Sequence, residues 1–146
     1  MPSSHLDKTL VGLAGEFLVA GHLCLKGYVA SLTLKNYPGV DIFCLNPRNG
    51  RQVAIQVKTI HGHRGGEYFV PENVDTLVCP FVFVFIGPDE SVEFFVVPAE
   101  RVAHISAQER DDYLRAHPKA KREQPRMIRK NSLLDYKDRW DLLGLE

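Results

Sequence analysis

Glu16, Asp41, Gln56 and Lys58 are the residues of this 146-residue chain whose types and order suit chemistry on a phosphate. Gln56-Val57-Lys58 lies in a run, residues 51–60, where Val53, Ile55 and Val57 alternate with Gln52, Ala54, Gln56 and Lys58. Period-two alternation predicts a strand with Gln56 and Lys58 on one face and Val57 turned into the core. An antiparallel partner strand starting near Asp41 would bring that carboxylate alongside, and a helix packed on the same face would add Glu16. Gly12 and Gly15 permit close backbone approach near Glu16, at a cost of about 1 kcal/mol each in a helix interior. Two carboxylates, an amide oxygen and an ammonium on one spot make a site for a hard divalent cation with a proton-handling group beside it. Taken singly, Lys58 also reads as a sheet-edge charge and Asp41 as a turn residue.

The elements that must position these groups show in the pattern. Leu6, Leu10, Leu13, Phe17, Leu18 and Leu25 recur at three-four spacing and predict a helix over residues 7–26. Ser3, Ser4 and Asp7 are available as N-caps, and Gly27 supplies a stop. Strands are predicted over 28–34, 40–45 and 51–60, joined by turn chemistry at 36–39 and 46–50, with a glycine-rich loop over 61–66. The continuous apolar run 81–86 reads as a strand buried on both faces, with 92–97 pairing back antiparallel. Pro98 opens a helix through about residue 105, a second helix follows near 107–116, and a terminal helix spans 133–143. The expectation is one α/β domain over residues 1–146: an N-terminal helix, a three-strand meander, further strands and a C-terminal helix, with a central mixed sheet flanked by helices.

The stretches GEFLVAGHLCLKGY, GVDIFCLN and RQVAIQVKT carry a resemblance. A helix Glu, Gly-x-Asp on a strand and x-x-Lys on the next strand resemble the PD-(D/E)XK nuclease superfamily, which includes restriction enzymes, Holliday-junction resolvases and a group I intron homing endonuclease. The small Gln-x-Lys variants are the most similar, and FVFVFIG, EFFVVPAERV and RWDLLG extend the likeness over most of the chain. The resemblance implies a restriction-endonuclease-like fold and hydrolysis of DNA phosphodiesters with Mg²⁺ or Mn²⁺. It makes Asp41 the principal metal carboxylate, the Val57 carbonyl a further ligand, and Glu16 a ligand directly or through water. Lys58 would orient or deprotonate the attacking water. Gln56 stands where the usual acid would be, which leaves the site one negative charge short. The alternatives are a nuclease-fold module that binds DNA or protein without turnover, and a nuclease subunit of a restriction or defence system.

Charge is divided along the chain. Lys plus Arg and Asp plus Glu each total 18, yet residues 1–66 carry +4, residues 67–112 carry −8 and residues 113–146 carry +4. A phosphate partner needs local positive surface rather than a positive total, because screening confines each charge to about 8–10 Å. Lys121, Arg122, Arg126, Arg129 and Lys130 are therefore candidate DNA contacts, and so are Thr59, His61, His63 and Arg64 around the loop after the Gln-x-Lys strand. His22 and Trp140 read as structural. No Walker-type loop occurs, so no nucleotide cofactor is expected. No uninterrupted apolar run approaches a membrane span, and the three scattered cysteines suit a reducing cytoplasm. A site that cuts one strand favours a two-fold homo-oligomer for duplex substrates, with strands 81–86 and 94–97 as the interface or, more simply, as core.

Overall fold

Asp7 caps the first helix by accepting the Thr9 N–H on its carboxylate at 2.7 Å, and α1 then runs Lys8–Leu25. Gly27, at φ 90°, turns the chain back into β1, Val29–Leu32. The computed structural model describes residues 6–34, 38–62 and 66–146. β2 (Ile42–Leu45) and β3 (Gln52–His61) complete an antiparallel meander. A short β4 (Glu67–Phe69) leads to β5 (Phe81–Ile86) and β6 (Val92–Val97). α2, Ala99–Ala116, precedes β7 (Met127–Arg129), and 3-10 turns at Lys130–Tyr136 and Trp140–Leu143 finish the chain.

The main sheet has the order β1-β2-β3-β5-β6, with β3 and β5 parallel and every other pair antiparallel. β4 and β7 form a separate two-stranded sheet. Two cores flank the main sheet. On one side α1 buries Val19 and Leu23 against Ile42, Ile55, Val57, Val82, Val84 and Val96. On the other, Val102 of α2 packs with Phe81, Phe83, Phe95 and Tyr68. Burying each such side chain is worth roughly 1.5–3 kcal/mol.

Three expectations are corrected. Nothing between Ile105 and Ala107 breaks a helix, so Pro98 caps a single helix rather than opening a short one followed by another. The C-terminal helix is two 3-10 turns, because Asp138 takes a left-handed φ of 55° between them and donates its N–H to Phe94 O at 2.9 Å. Of the two uses expected for strands 81–86 and 94–97 the simpler one holds, core in place of interface, with both faces of β5 and β6 covered. α1, despite its interrupting Gly residues, is long and apolar enough to cross a membrane by length and composition alone. Its Gly15-Val19-Leu23 stripe is nevertheless buried.

Candidate active site

The site begins where β2 stops. The β2–β3 register closes at Ile42 opposite Ile55, and the Asp41 N–H still donates to Ile55 O at 2.9 Å. One step further along β3 the Asp41 side chain takes over, its Oδ2 accepting the Val57 N–H at 2.7 Å. A strand residue's N–H and C=O leave on the same edge, so the Val57 carbonyl also points to the Asp41 side of β3.

Alternation assigns the faces. Ile42 and Val57 lie in the core under α1, so Asp41, Gln56 and Lys58 turn to the other face. There Gln56 and Lys58 stand beside their parallel partners Phe81 and Phe83, and the chain brings the three polar residues together. Gln56 is only 6% exposed, and its backbone N–H donates to Pro80 O at 3.1 Å. Asp41 and Lys58 are half-buried. Among the described residues Asp41 Oδ1 accepts no hydrogen bond and Lys58 makes no ion pair.

Glu16 arrives differently from the expectation. α1 covers the Val57 and Thr59 face of β3, not the Gln56 and Lys58 face. The contact is close: a Cβ on Gly15 would fall 1.7 Å from Thr59 Oγ1. The half-buried Glu16 follows Gly15 directly, so its Cα sits one residue from the point where α1 touches β3 next to Lys58.

The donor set suits a hard cation. The Asp41 carboxylate, the Gln56 side-chain amide and the Val57 carbonyl occupy neighbouring positions where β2 gives out along β3, and Mg²⁺ commonly takes one or two carboxylates and keeps several waters. Among the described residues no three His, Cys, Asp or Glu side chains cluster, so a cation here depends on the amide and the carbonyl as well as on carboxylates.

The expected DNA contacts divide. Thr59 is corrected: its hydroxyl is buried under Gly15, without a partner among the described residues, and turned from the Lys58 face. His61 is the half-buried last residue of β3 rather than part of a loop. His63 and Arg64 lie outside the described residues. Lys121 and Arg122 are exposed. Arg126 is corrected, because it is 2% exposed and spans from Asp75 (2.6 Å) to Ala103 O (2.7 Å), tying α2 to the loop after β4. Lys130 is corrected as well: it pairs with Glu93 at 2.5 Å and lies over the Phe85 ring at 3.9 Å. Arg129 is exposed and meets Glu109 at 3.7 Å.

Tyr68 went unmarked in the sequence. Its ring stands edge-on to Phe83 at 4.9 Å, on the Lys58 side of the sheet, and its buried hydroxyl has no partner among the described residues. Burial and the nearby Glu93 push that phenol far up from its ordinary range. A three-residue strand has too little pattern to announce it.

No protein-family model matches the sequence, and no curated protein matches it. Among solved structures it is similar to the bacterial homing endonuclease I-Ssp6803I, with a TM-score of 0.62 over 97% of this chain and 93% of that one at 13% identity. A second similar structure is Hjc, a Holliday junction resolvase of Archaeoglobus fulgidus, at TM-score 0.48 and 16% identity, covering 84% of this chain and 92% of that one. The mixed five-stranded sheet with its flanking helices is shared with that homing endonuclease, in keeping with the fold that the motif resemblance implied.

Proposed function

We propose that this chain is a metal-dependent endonuclease that hydrolyses phosphodiester bonds in DNA, using Mg²⁺ or Mn²⁺. The observation that supports this most is the Asp41–Val57 contact, which sets a carboxylate and a strand carbonyl at one edge beside Gln56 and Lys58. Asp41, Gln56 and the Val57 carbonyl would hold the cation, with Glu16 binding directly or through water. When bound, the cation polarises a phosphate oxygen and orients the reacting groups.

The chain's own residues do the rest. The Val57 N–H fixes the Asp41 carboxylate by one oxygen and leaves the other for a ligand. Lys58, on the same face, holds the attacking water or accepts its proton, and its ammonium form offsets negative charge that builds on the phosphate. Gln56 contributes an oxygen but no charge, so metal binding is weaker than with an acid there and leans more on Glu16.

The neutral Gln56 is also what favours the second reading, a nuclease-fold module that binds DNA without cutting it. Plasmid nicking separates the two. With Mg²⁺ or Mn²⁺ the wild-type chain nicks supercoiled DNA, and Asp41→Ala and Lys58→Ala each abolish nicking while binding persists. Nicking that survives both substitutions contradicts the site. Binding without nicking in either metal selects the second reading.

A further inference from the structure

We propose that the outward face of α1 is a self-association surface, on which a second copy of this chain lays its own α1 antiparallel. Leu10, Ala14, Phe17, Gly21 and Cys24 are all exposed and recur at alternating four- and three-residue steps, the heptad seam of a helix pair. From Leu10 to Leu25 no exposed position carries a charge, and Glu16, the one Asp, Glu, Lys or Arg in that stretch, is half-buried. The buried Gly15-Val19-Leu23 stripe already faces the sheet, so among the described residues the seam stays uncovered.

The seam is complementary to itself. In an antiparallel pair related by a two-fold axis, Leu10 falls against Gly21 of the second copy and Ala14 against Phe17, with Leu6 against Leu25 beyond. Each central layer sets a large side chain against a small one, and the two-fold repeats every layer, as an isologous interface requires. The area fits too. Leu6, Leu10, Phe17, Leu18 and Leu25 are 37–88% exposed. At about 150–200 Å² for a free large apolar side chain they leave roughly 500 Å² per copy, so a pair buries about the 1,000 Å² that a specific interface needs.

A lipid surface fits less well. An interfacial helix carries Lys or Arg along its polar face, whereas the face of α1 opposite the seam is packed against β3, and Lys8 and Lys26 stand only at its two ends. The inference does not draw on the nuclease reading, and a chain inactive on DNA would associate equally.

Sedimentation equilibrium on the full chain tests it. The wild type sediments as a dimer at tens of micromolar, and Phe17→Glu weakens association at least ~100-fold while the chain keeps a folded circular-dichroism spectrum and its melting midpoint loses its dependence on protein concentration. Combining Ala14→Lys with Phe17→Glu sets Lys against Glu across the seam in this register and restores the dimer relative to Phe17→Glu alone. A wild type that stays monomeric at these concentrations overturns the proposal. So does a Phe17→Glu chain that dimerises normally, or a double variant no better than the single. Binding to phosphatidylcholine–phosphatidylglycerol vesicles that Phe17→Glu abolishes overturns it in favour of a membrane surface.

Discussion

The Asp41 carboxylate caps the Val57 N–H at 2.7 Å, in the place along β3 where β2 has ceased to supply a backbone carbonyl. The acceptor that ends the ladder is thus the same group that would hold a cation, and the two roles can be separated by substitution. Asp41→Asn keeps an oxygen for the Val57 N–H and removes the charge. Stability should stay within about 1 kcal/mol of wild type, whereas Asp41→Ala, which orphans that N–H, costs roughly 1–3 kcal/mol. Nicking should fall about 10²–10³-fold in Asp41→Asn, the scale of losing one preorganised electrostatic contact. Urea unfolding and nicking rates on the same samples check both parts.

Gly15 sets how closely α1 lies on β3. A methyl group there meets Thr59 Oγ1 at 1.7 Å and the Thr59 Cβ and Cγ2 at 2.8 and 2.9 Å, so Gly15→Ala forces the helix away and costs about 1–3 kcal/mol. Because Glu16 rides on the same turn, nicking should fall as well, and Thr59→Gly in the Gly15→Ala background should recover part of both. Thr59→Val alone should leave the thermal midpoint unchanged or raised, since the hydroxyl it removes is buried and has no partner among the described residues.

The basic segment is predicted to split under alanine scanning. Arg126→Ala leaves the Ala103 carbonyl without its buried donor and the exposed Asp75 without its ion pair, and should cost about 1–3 kcal/mol. Lys121→Ala and Arg122→Ala, both at exposed positions, should leave the midpoint within about 0.5 kcal/mol. Their effect belongs in DNA affinity, as a shallower salt dependence with each neutralised charge. Thermal melts and binding isotherms at two salt concentrations separate these outcomes.

His22 makes folding sensitive to mild acid. Its ring stacks on Trp140 at 4.8 Å and tilts against Phe94 at 5.0 Å. Burial, and then the charge of Lys26, hold its pKa below the ordinary 6.5, with Asp138 opposing. The unfolded chain therefore binds the proton more readily, so His22's contribution is complete above pH 6.5 and declines as pH falls through its lower folded pKa. The thermal midpoint should drop between pH 7 and pH 5, and His22→Phe should flatten that part of the profile. An unchanged slope in the variant would assign the acid sensitivity to other groups.

The meander and its motifs were legible because local chemistry and tertiary use agree there. Asp7 caps, Gly27 turns, and the Val53-Ile55-Val57 alternation survives into a strand with one face under α1. The face on which α1 lies was not legible. Apolar Val57 and polar Lys58 each suit a face covered by a helix, and only the folded packing, with Val19 and Leu23 beside Val57 and Gly15 on Thr59, decides between them. Composition was equally blind to the basic segment: Arg126 and Lys130 look like solvated charge until Asp75 and Glu93, far away in sequence, are folded against them. The 3-10 turns at the end of the chain carry helical spacing of Leu134, Trp140 and Leu143, and a left-handed Asp138 interrupts what that spacing predicts.

The anomalous difference map of a crystal soaked in Mn²⁺ addresses the central claim most directly. A peak within ligand distance of Asp41 Oδ1 and the Val57 carbonyl, lost in Asp41→Asn crystals, is the predicted result. A map with no peak at that edge under metal concentrations that support nicking, or with its only peak elsewhere, would contradict it.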